Sequence, residues 1–103
     1  MKYDTIVTFV DKTRIENHET GEASDYCKVT IQVPITKTEK NPYAFGTVGK
    51  DYFVNVKYYD KFKEIYAKGA KFSVTIGFKP TYDKLSRRRY YKDYIFAIDD
   101  KEL

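Results

Sequence analysis

A strict alternation of apolar and polar residues constrains this chain more than any other feature of its sequence. In the segment 27–35, apolar residues fill every second position. The apolar set is Cys27, Val29, Ile31, Val33 and Ile35, and it alternates with Lys28, Thr30 and Gln32. Because successive side chains of a β-strand point to opposite faces of a sheet, this pattern predicts a strand with one buried face. With 103 residues, the chain has room for a single domain, residues 1–103, and a small core.

Four further segments predict strands, at residues 3–11, 51–58, 72–78 and 90–98. The segment 51–58 is predicted to bury the face made of Tyr52, Val54, Val56 and Tyr58. Its opposite face then exposes Phe53, Asn55 and Lys57, with Tyr59 continuing the row. The segment 90–98 is apolar or aromatic on both faces, which allows burial on both. Polar loops are predicted at residues 12–25, 36–50 and 79–89.

One short helix is predicted between the third and fourth strands. Asp60 can cap its N-terminus, because a carboxylate accepts hydrogen bonds from the free amides of the first turn. Phe62, Ile65 and Tyr66 have the spacing of one apolar helical face, and Gly69 suits a left-handed C-terminal cap. Three strands, one helix and two strands match the OB-fold, an all-β, five-stranded and partly open barrel. An SH3-like barrel and a small α+β sheet are the competing architectures.

The rare residue types exclude several classes of function. The single cysteine, Cys27, and the single histidine, His18, rule out an internal disulfide framework and a zinc site within one chain. We expect a buried thiol and a solvated histidine. The sequence also lacks a phosphate-binding glycine loop and a nucleophile motif, so we expect no enzyme, cofactor or small-molecule substrate. Neither a signal peptide nor an apolar run of membrane-spanning length is present, which predicts a cytoplasmic protein.

Positive charge is concentrated in one part of the chain. The formal net charge is +4, but residues 79–92 alone carry six basic residues and one acidic residue, while residues 1–26 and 93–103 are acidic. The basic segment also contains tyrosines, and the chain has 11 Tyr and 7 Phe in all. Cations neutralise phosphates and aromatic rings stack on unpaired bases, so this combination predicts contact with a single-stranded nucleic acid. The candidate residues are Lys79, Tyr82, Lys84, Arg87, Arg88, Arg89 and Tyr90; the alternative is a solvated hairpin tip.

Two other groups of aromatic residues are candidate contacts. On the exposed face of the third strand, Phe53 and Tyr59 would flank a cation in a row with Asn55 and Lys57, as in a stacking platform. That face could instead be aromatic because β-structure favours aromatic residues, or because it packs against another subunit. The loop around Tyr43 and Phe45 either closes over a bound strand or plugs the end of the barrel.

The segment 52–99 resembles the bacterial and phage single-stranded DNA-binding protein family. The resemblance rests on Phe53-Val54-Asn55-Val56-Lys57-Tyr58-Tyr59-Asp60-Lys61-Phe62-Lys63-Glu64, on Tyr66-Ala67-Lys68-Gly69 and on Phe72-Ser73-Val74-Thr75-Ile76. It implies that Phe53 and Tyr59 are stacking aromatics and that the basic hairpin after Phe78 is the family's long loop between strands four and five. The chain departs from the family because it has no Trp, no flexible linker and few acidic residues at its end. A compact form of this kind would suit a phage or another mobile element.

These observations predict a non-enzymatic protein that binds single-stranded DNA without sequence preference, as in DNA replication. A protein-interaction module, such as a phage or mobile-element inhibitor or structural subunit, is the alternative, and so is an RNA-binding OB domain. The two-sided apolar character of residues 90–98 further predicts that one face of this strand is buried in a homodimer; the alternative is that a closed barrel already covers that face.

Overall fold

A computed structural model describes residues 1–16, 20–35, 37–83 and 85–103. His18 and Lys84, for which the sequence made predictions, lie outside the described residues. The elements are the strands β1 (Lys2–Thr5), β2 (Val7–Glu16), β3 (Ala23–Pro34), β4 (Thr47–Asn55), β5 (Phe72–Asp83), β6 (Arg88–Ile98) and β7 (Lys101–Glu102), a short 3₁₀ helix (Val56–Tyr58) and helix α1 (Tyr59–Lys68). They form two compact units. Residues 5–71 make up the meander unit, and residues 1–4 and 72–103 make up the arm unit.

The meander unit is built on an antiparallel sheet in the order β2-β3-β4. Its buried face carries Cys27, Val29 and Ile31 from β3, and Tyr52 and Val54 from β4. Cys27 is paired with Val54 and Val29 with Tyr52, so the buried side chains of neighbouring strands share one face. The predicted strand is therefore confirmed from Cys27 to Pro34, and the buried face of β4 is confirmed up to Val54. Ile35 lies beyond β3 and is exposed, so the prediction that it extends the buried face is wrong.

Beyond Val54, the prediction for this strand is wrong, because β4 ends at Asn55. The side chain of Asn55 accepts a hydrogen bond of 3.0 Å from the backbone N–H of Lys57, and the chain enters the 3₁₀ helix. An Asn side chain that bonds the backbone two residues on offers the chain a turn in place of the β-ladder. Lys57 and Tyr59 consequently do not share a strand face with Phe53.

Helix α1 begins two residues earlier than predicted. Asp60 lies inside the first turn and Tyr58 is the N-cap, so the prediction of Asp60 as the cap is wrong. A carboxylate in the first turn still interacts favourably with the helix dipole. The predicted C-terminal cap is confirmed: Gly69 has a φ of 62° and donates its N–H to the Tyr66 carbonyl at 3.0 Å. The helix contacts β2, and Phe62 is fully buried.

The arm unit contains a second sheet in the order β1-β5-β6-β7. Its buried residues are Phe72, Val74, Ile76, Ile95, Ala97 and Ile98. Thr75 pairs with Ala97 and Ile76 pairs with Ile95, so Phe96 is the extra residue of a bulge. Phe96 is exposed, which corrects the expectation that the last long strand could be buried on both faces.

The basic segment is mostly strand, where the sequence predicted a loop at residues 79–89. β5 continues to Asp83 and β6 already begins at Arg88. Leu85, Ser86 and Arg87 lie in the turn between them, and Arg87 takes a left-handed conformation with a φ of 54°. The loop predicted at residues 12–25 is likewise shortened at both ends by β2 and β3. Cross-strand hydrogen bonds extend these hairpins beyond the segments whose buried residues mark them as strands in the sequence.

The chain is therefore mostly β-structure with one short α-helix, as predicted. The strands of the described ranges form two antiparallel sheets, with no closed barrel among them. Within these same ranges, none of the helices combines the length and the apolar character that crossing a membrane requires.

Candidate nucleic-acid interface

The outer part of the β5–β6 hairpin is a two-stranded ribbon within the arm unit. We call this ribbon the arm; it consists of residues 78–83, residues 88–93 and the described turn between them. Its antiparallel register pairs Phe78 with Asp93, Lys79 with Lys92, Pro80 with Tyr91, Thr81 with Tyr90 and Tyr82 with Arg89. Paired residues point to the same side of a ribbon, and successive residues point to opposite sides. The arm thus has two faces of different chemistry.

One side, the cationic face, carries Lys79, Thr81, Arg88, Tyr90 and Lys92, and the strand position paired with Arg88 on this side is an acidic one, Asp83. Arg88, Tyr90 and Lys92 occupy alternate positions of β6, so the tyrosine lies between two cations in one row. The Tyr90 side chain is 47% exposed. An exposed ring between two cations can stack on a base while its neighbours contact the phosphates on either side.

The base of the cationic face is held by an aromatic contact. Tyr94 is paired with Gly77, and a Cβ atom at Gly77 would come within 3.1 Å of the Tyr94 ring. The ring therefore lies against the bare backbone of Gly77. The Nζ atom of Lys79 lies 4.2 Å from the centre of this ring, a cation–π contact. Tyr94 also meets Phe96 edge to face, with 6.2 Å between ring centres. Tyr94 thus positions Lys79.

The opposite side of the arm, the aromatic face, carries Phe78, Pro80, Tyr82, Arg89, Tyr91 and Asp93. The sequence named Tyr82 and Arg89 as candidate contacts together with Arg88 and Tyr90. The strand alternation places these two pairs on opposite sides of the arm. Arg87, in the turn, is exposed.

The meander unit places Phe53 on the outer face of its sheet, where the ring is 41% exposed. Phe53 is paired with Lys28, whose Nζ atom lies 5.8 Å from the centre of the Phe9 ring. The same Nζ atom is 3.7 Å from Oδ2 of Asp51. Two aromatic rings and a lysine therefore share this face, but a carboxylate balances the charge of the lysine.

Three other predicted contacts of this unit lie apart from that face. Asn55 initiates the 3₁₀ helix with its side chain, and Lys57 lies over the ring of Tyr58 at 5.1 Å. Tyr59 belongs to α1, and its ring centre lies 4.7 Å from Nζ of Lys12 and 6.0 Å from Nζ of Lys63. Lys12 and Lys63 were missed as neighbours of Tyr59. The four-residue helical spacing could have identified Lys63, whereas Lys12 comes from β2.

The loop that carries Tyr43 and Phe45 is closed by backbone hydrogen bonds. Ile35 donates its N–H to the Gly46 carbonyl at 3.0 Å, and Ala44 donates to the Asn41 carbonyl at 3.2 Å. Tyr43 and Phe45 are 94% and 95% exposed. The hypothesis that these rings plug the end of a barrel is therefore wrong for this structure.

The single thiol lies in the meander core. Cys27 is fully buried, as predicted, and desolvation raises its pKa above the ordinary value of 9.0, with a smaller effect of Asp11 in the same direction. In the part of the chain that the structure describes, no three His, Cys, Asp or Glu side chains are grouped so that they could hold a metal ion.

Comparison with protein-family models, with curated protein sequences and with solved structures found no match for this chain. The resemblance to single-stranded DNA-binding proteins therefore stays a prediction that rests on the sequence segments quoted above. The case for a function depends on the geometry of the two units.

Proposed function

We propose that this protein binds single-stranded DNA without sequence preference and without catalysis, through the cationic face of the arm. The observation that carries the proposal is the row Arg88-Tyr90-Lys92 on β6, with Lys79 across the ribbon from Lys92. These four residues are all exposed and lie on one side of a projecting hairpin.

The mechanism combines two contributions. Arg88, Lys92 and Lys79 neutralise phosphates and release condensed counterions, which gives an affinity that falls with salt. Tyr90 stacks on an unpaired base, a contact worth roughly 1–3 kcal/mol. Duplex bases are already stacked on one another, so a single strand gains more from Tyr90 than a duplex does. Arg87 adds a cation at the turn.

The meander unit offers separate stacking surfaces for the same ligand. Phe53 lies on the outer sheet face, Tyr59 has two neighbouring lysines, and Tyr43 and Phe45 project from their loop. In this proposal each of these residues can stack on a base by itself, without a phosphate contact from its own face.

The finer fold assignment, an OB-fold, is part of the same proposal. The helix between β4 and β5 is in the expected position, and β1 and β2 divide the first stretch of β-structure between the two sheets. OB-folds bind oligonucleotides through the face of their second and third strands and the neighbouring loops. Those strands correspond here to β3 and β4.

The test is fluorescence anisotropy of labelled oligo-dT over a salt series. We expect binding at low salt and a logarithmic affinity that falls linearly with the logarithm of the salt concentration. Absence of binding at low salt would overturn the proposal.

Arg87→Gly is an informative variant, because it removes one charge and relieves a left-handed backbone that costs about 1–2 kcal/mol. Its salt slope should fall by about 0.7 while its melting temperature rises.

A protein-interaction module is the second candidate, and the exposure of Tyr43 and Phe45 favours it, since aromatic residues are frequent anchors of protein interfaces. A stoichiometric protein partner, together with no affinity for oligo-dT or oligo-U, would support this alternative. Tighter binding of oligo-U than of oligo-dT would instead indicate an RNA-binding protein.

A further inference from the structure

The aromatic face of the arm has a composition that phosphate binding does not explain. Phe78, Tyr82 and Tyr91 are 57%, 55% and 76% exposed, and Pro80 lies between the two aromatic residues of β5. The next rung of the hairpin, Ile76 with Ile95, is buried. The apolar side of the arm unit thus continues outward as an exposed aromatic surface, which is a typical mark of an interaction site.

We propose that two copies of this chain pair through these aromatic faces, packed face to face with their arms antiparallel. The inference is independent of nucleic-acid binding, because it uses the side of the arm opposite the cationic face.

The order of residues on this face is suited to a two-fold axis. Its three rungs are Phe78 with Asp93, Pro80 with Tyr91, and Tyr82 with Arg89. The two-fold axis lies above the central rung and runs parallel to the hydrogen bonds between β5 and β6. It places β5 of one copy over β5 of the other, and the two strands run in opposite directions. Phe78 then meets the second copy's Tyr82, and Asp93 meets the second copy's Arg89. A two-fold interface requires this self-complementarity, in which residue i contacts j and j contacts i.

The charges favour a second copy of this chain as the partner of the aromatic face. The aromatic face carries one cation, Arg89, and one anion, Asp93, so it is neutral and a poor surface for phosphates. The cationic face repels its own copy, because its three cationic residues, Lys79, Arg88 and Lys92, outnumber its one acidic position, Asp83. Packing the aromatic faces together directs both cationic faces outward, where they stay available for the ligand.

The size of the face predicts a weak association. An aromatic side chain carries about 150–250 Å². Three such side chains that are roughly half exposed offer on the order of 300 Å² per copy, well below the ~800 Å² per partner of a standard interface. We therefore expect a reversible dimer that forms only at high protein concentration.

Sedimentation velocity of the nucleic-acid-free protein over a concentration series, up to about 1 mM, tests the proposal. The wild-type protein should shift from monomer to dimer. Tyr91→Lys places two like charges across the axis and should weaken dimerisation at least tenfold. Its control is Thr81→Lys, which adds the same charge on the opposite face and should leave the dimer unchanged. Circular dichroism melts check that both variants are folded.

A charge swap tests the predicted register. Arg89→Asp should weaken the dimer, and the double variant Arg89→Asp/Asp93→Arg should restore it to within about twofold of wild type, since each pair is re-formed with exchanged signs. A protein that stays monomeric throughout, or a dimer indifferent to Tyr91→Lys, overturns the proposal. A double variant that dimerises no better than Arg89→Asp also overturns it. The same holds for a folded Tyr91→Ala variant that loses oligo-dT binding while its monomer–dimer equilibrium is unchanged. Loss of oligo-dT binding in the cationic-face variants bears only on the proposed function.

Discussion

The cationic face of the arm and the outer face of the meander sheet both place aromatic rings beside lysine or arginine on an antiparallel ladder. They differ in their balance of charge. On the meander sheet, Lys28 is 3.7 Å from the Asp51 carboxylate, and the Thr30 hydroxyl donates to the same carboxylate at 2.5 Å. On the arm, Tyr90 lies between Arg88 and Lys92, and the three cationic residues of this face, with Lys79, exceed its one acidic position, Asp83. An aromatic residue next to a cation is therefore not sufficient for phosphate binding, because a neighbouring carboxylate repels the backbone of the ligand.

The largest difference should appear when the cations of each face are neutralised. We expect Lys79→Gln/Arg88→Gln/Lys92→Gln to reduce the salt slope of oligo-dT binding by about 2, because three phosphate contacts are lost at roughly 0.7 each. Lys28→Gln, the matched variant on the meander sheet, should leave the slope unchanged. If single lysine or arginine substitutions on the two faces changed the salt slope equally, as measured by anisotropy, the two faces would not differ in phosphate binding.

Removing one ring from each face should lower affinity by a smaller amount and leave the slope alone. Tyr90→Ala and Phe53→Ala should each weaken oligo-dT binding by roughly 1–3 kcal/mol at fixed salt, because each loses one stacked base. The exposed Tyr66 on α1 provides a control as Tyr66→Ala, with no expected change. A loss at Tyr90 with none at Phe53 would restrict the binding surface to the arm unit.

A smaller effect is expected when the meander sheet is made more similar to the arm. Asp51→Asn removes the carboxylate beside Lys28 and keeps an oxygen that can accept the Thr30 hydrogen bond. The freed lysine should then contact a phosphate, so that the salt slope increases by at most about 0.7 and low-salt affinity rises. Unchanged binding by anisotropy would show that no ligand strand passes over this face.

The smallest effect concerns Cys27 in the meander core and the pH dependence of the free energy of unfolding. Burial raises the pKa of the Cys27 thiol above its ordinary value of 9.0, so the folded chain holds this proton more tightly than the unfolded chain. This contribution to stability is complete below the unfolded pKa and is lost as pH rises through the folded value. Denaturant titrations should therefore show wild-type stability falling at alkaline pH more steeply than in Cys27→Ala. Identical pH profiles would contradict this assignment, as would rapid reaction of the native thiol with a thiol reagent at neutral pH.

Several parts of the molecule could be predicted because local sequence determines them. The alternation at residues 27–35 identified β3 and its buried face. The spacing of Phe62, Ile65 and Tyr66 and the glycine at position 69 identified α1, although Tyr66 is exposed and does not extend the buried face of Phe62. The acidic end was harder to interpret, because Asp99 and Asp100 form the two-residue turn between β6 and β7, with φ angles of 50° and 64°. Turns of this kind require positive φ at both positions, and Asn-Gly or Asp-Gly is the more usual signal.

The sequence by itself determined the mostly-β class, the buried thiol, the helix and its end, and the concentration of charge in residues 79–92. These properties follow from the two-residue period of strands, from helical spacing and from composition. Only the tertiary structure decided how the charge is presented. Cross-strand pairing turned a predicted loop into a ribbon and separated Arg88 and Tyr90 from Arg89 and Tyr82. It also brought Asp51 next to Lys28. The physical reason is that alternation assigns a residue to one of two faces, whereas the neighbours on that face come from another strand, and the register between strands sets which residues meet.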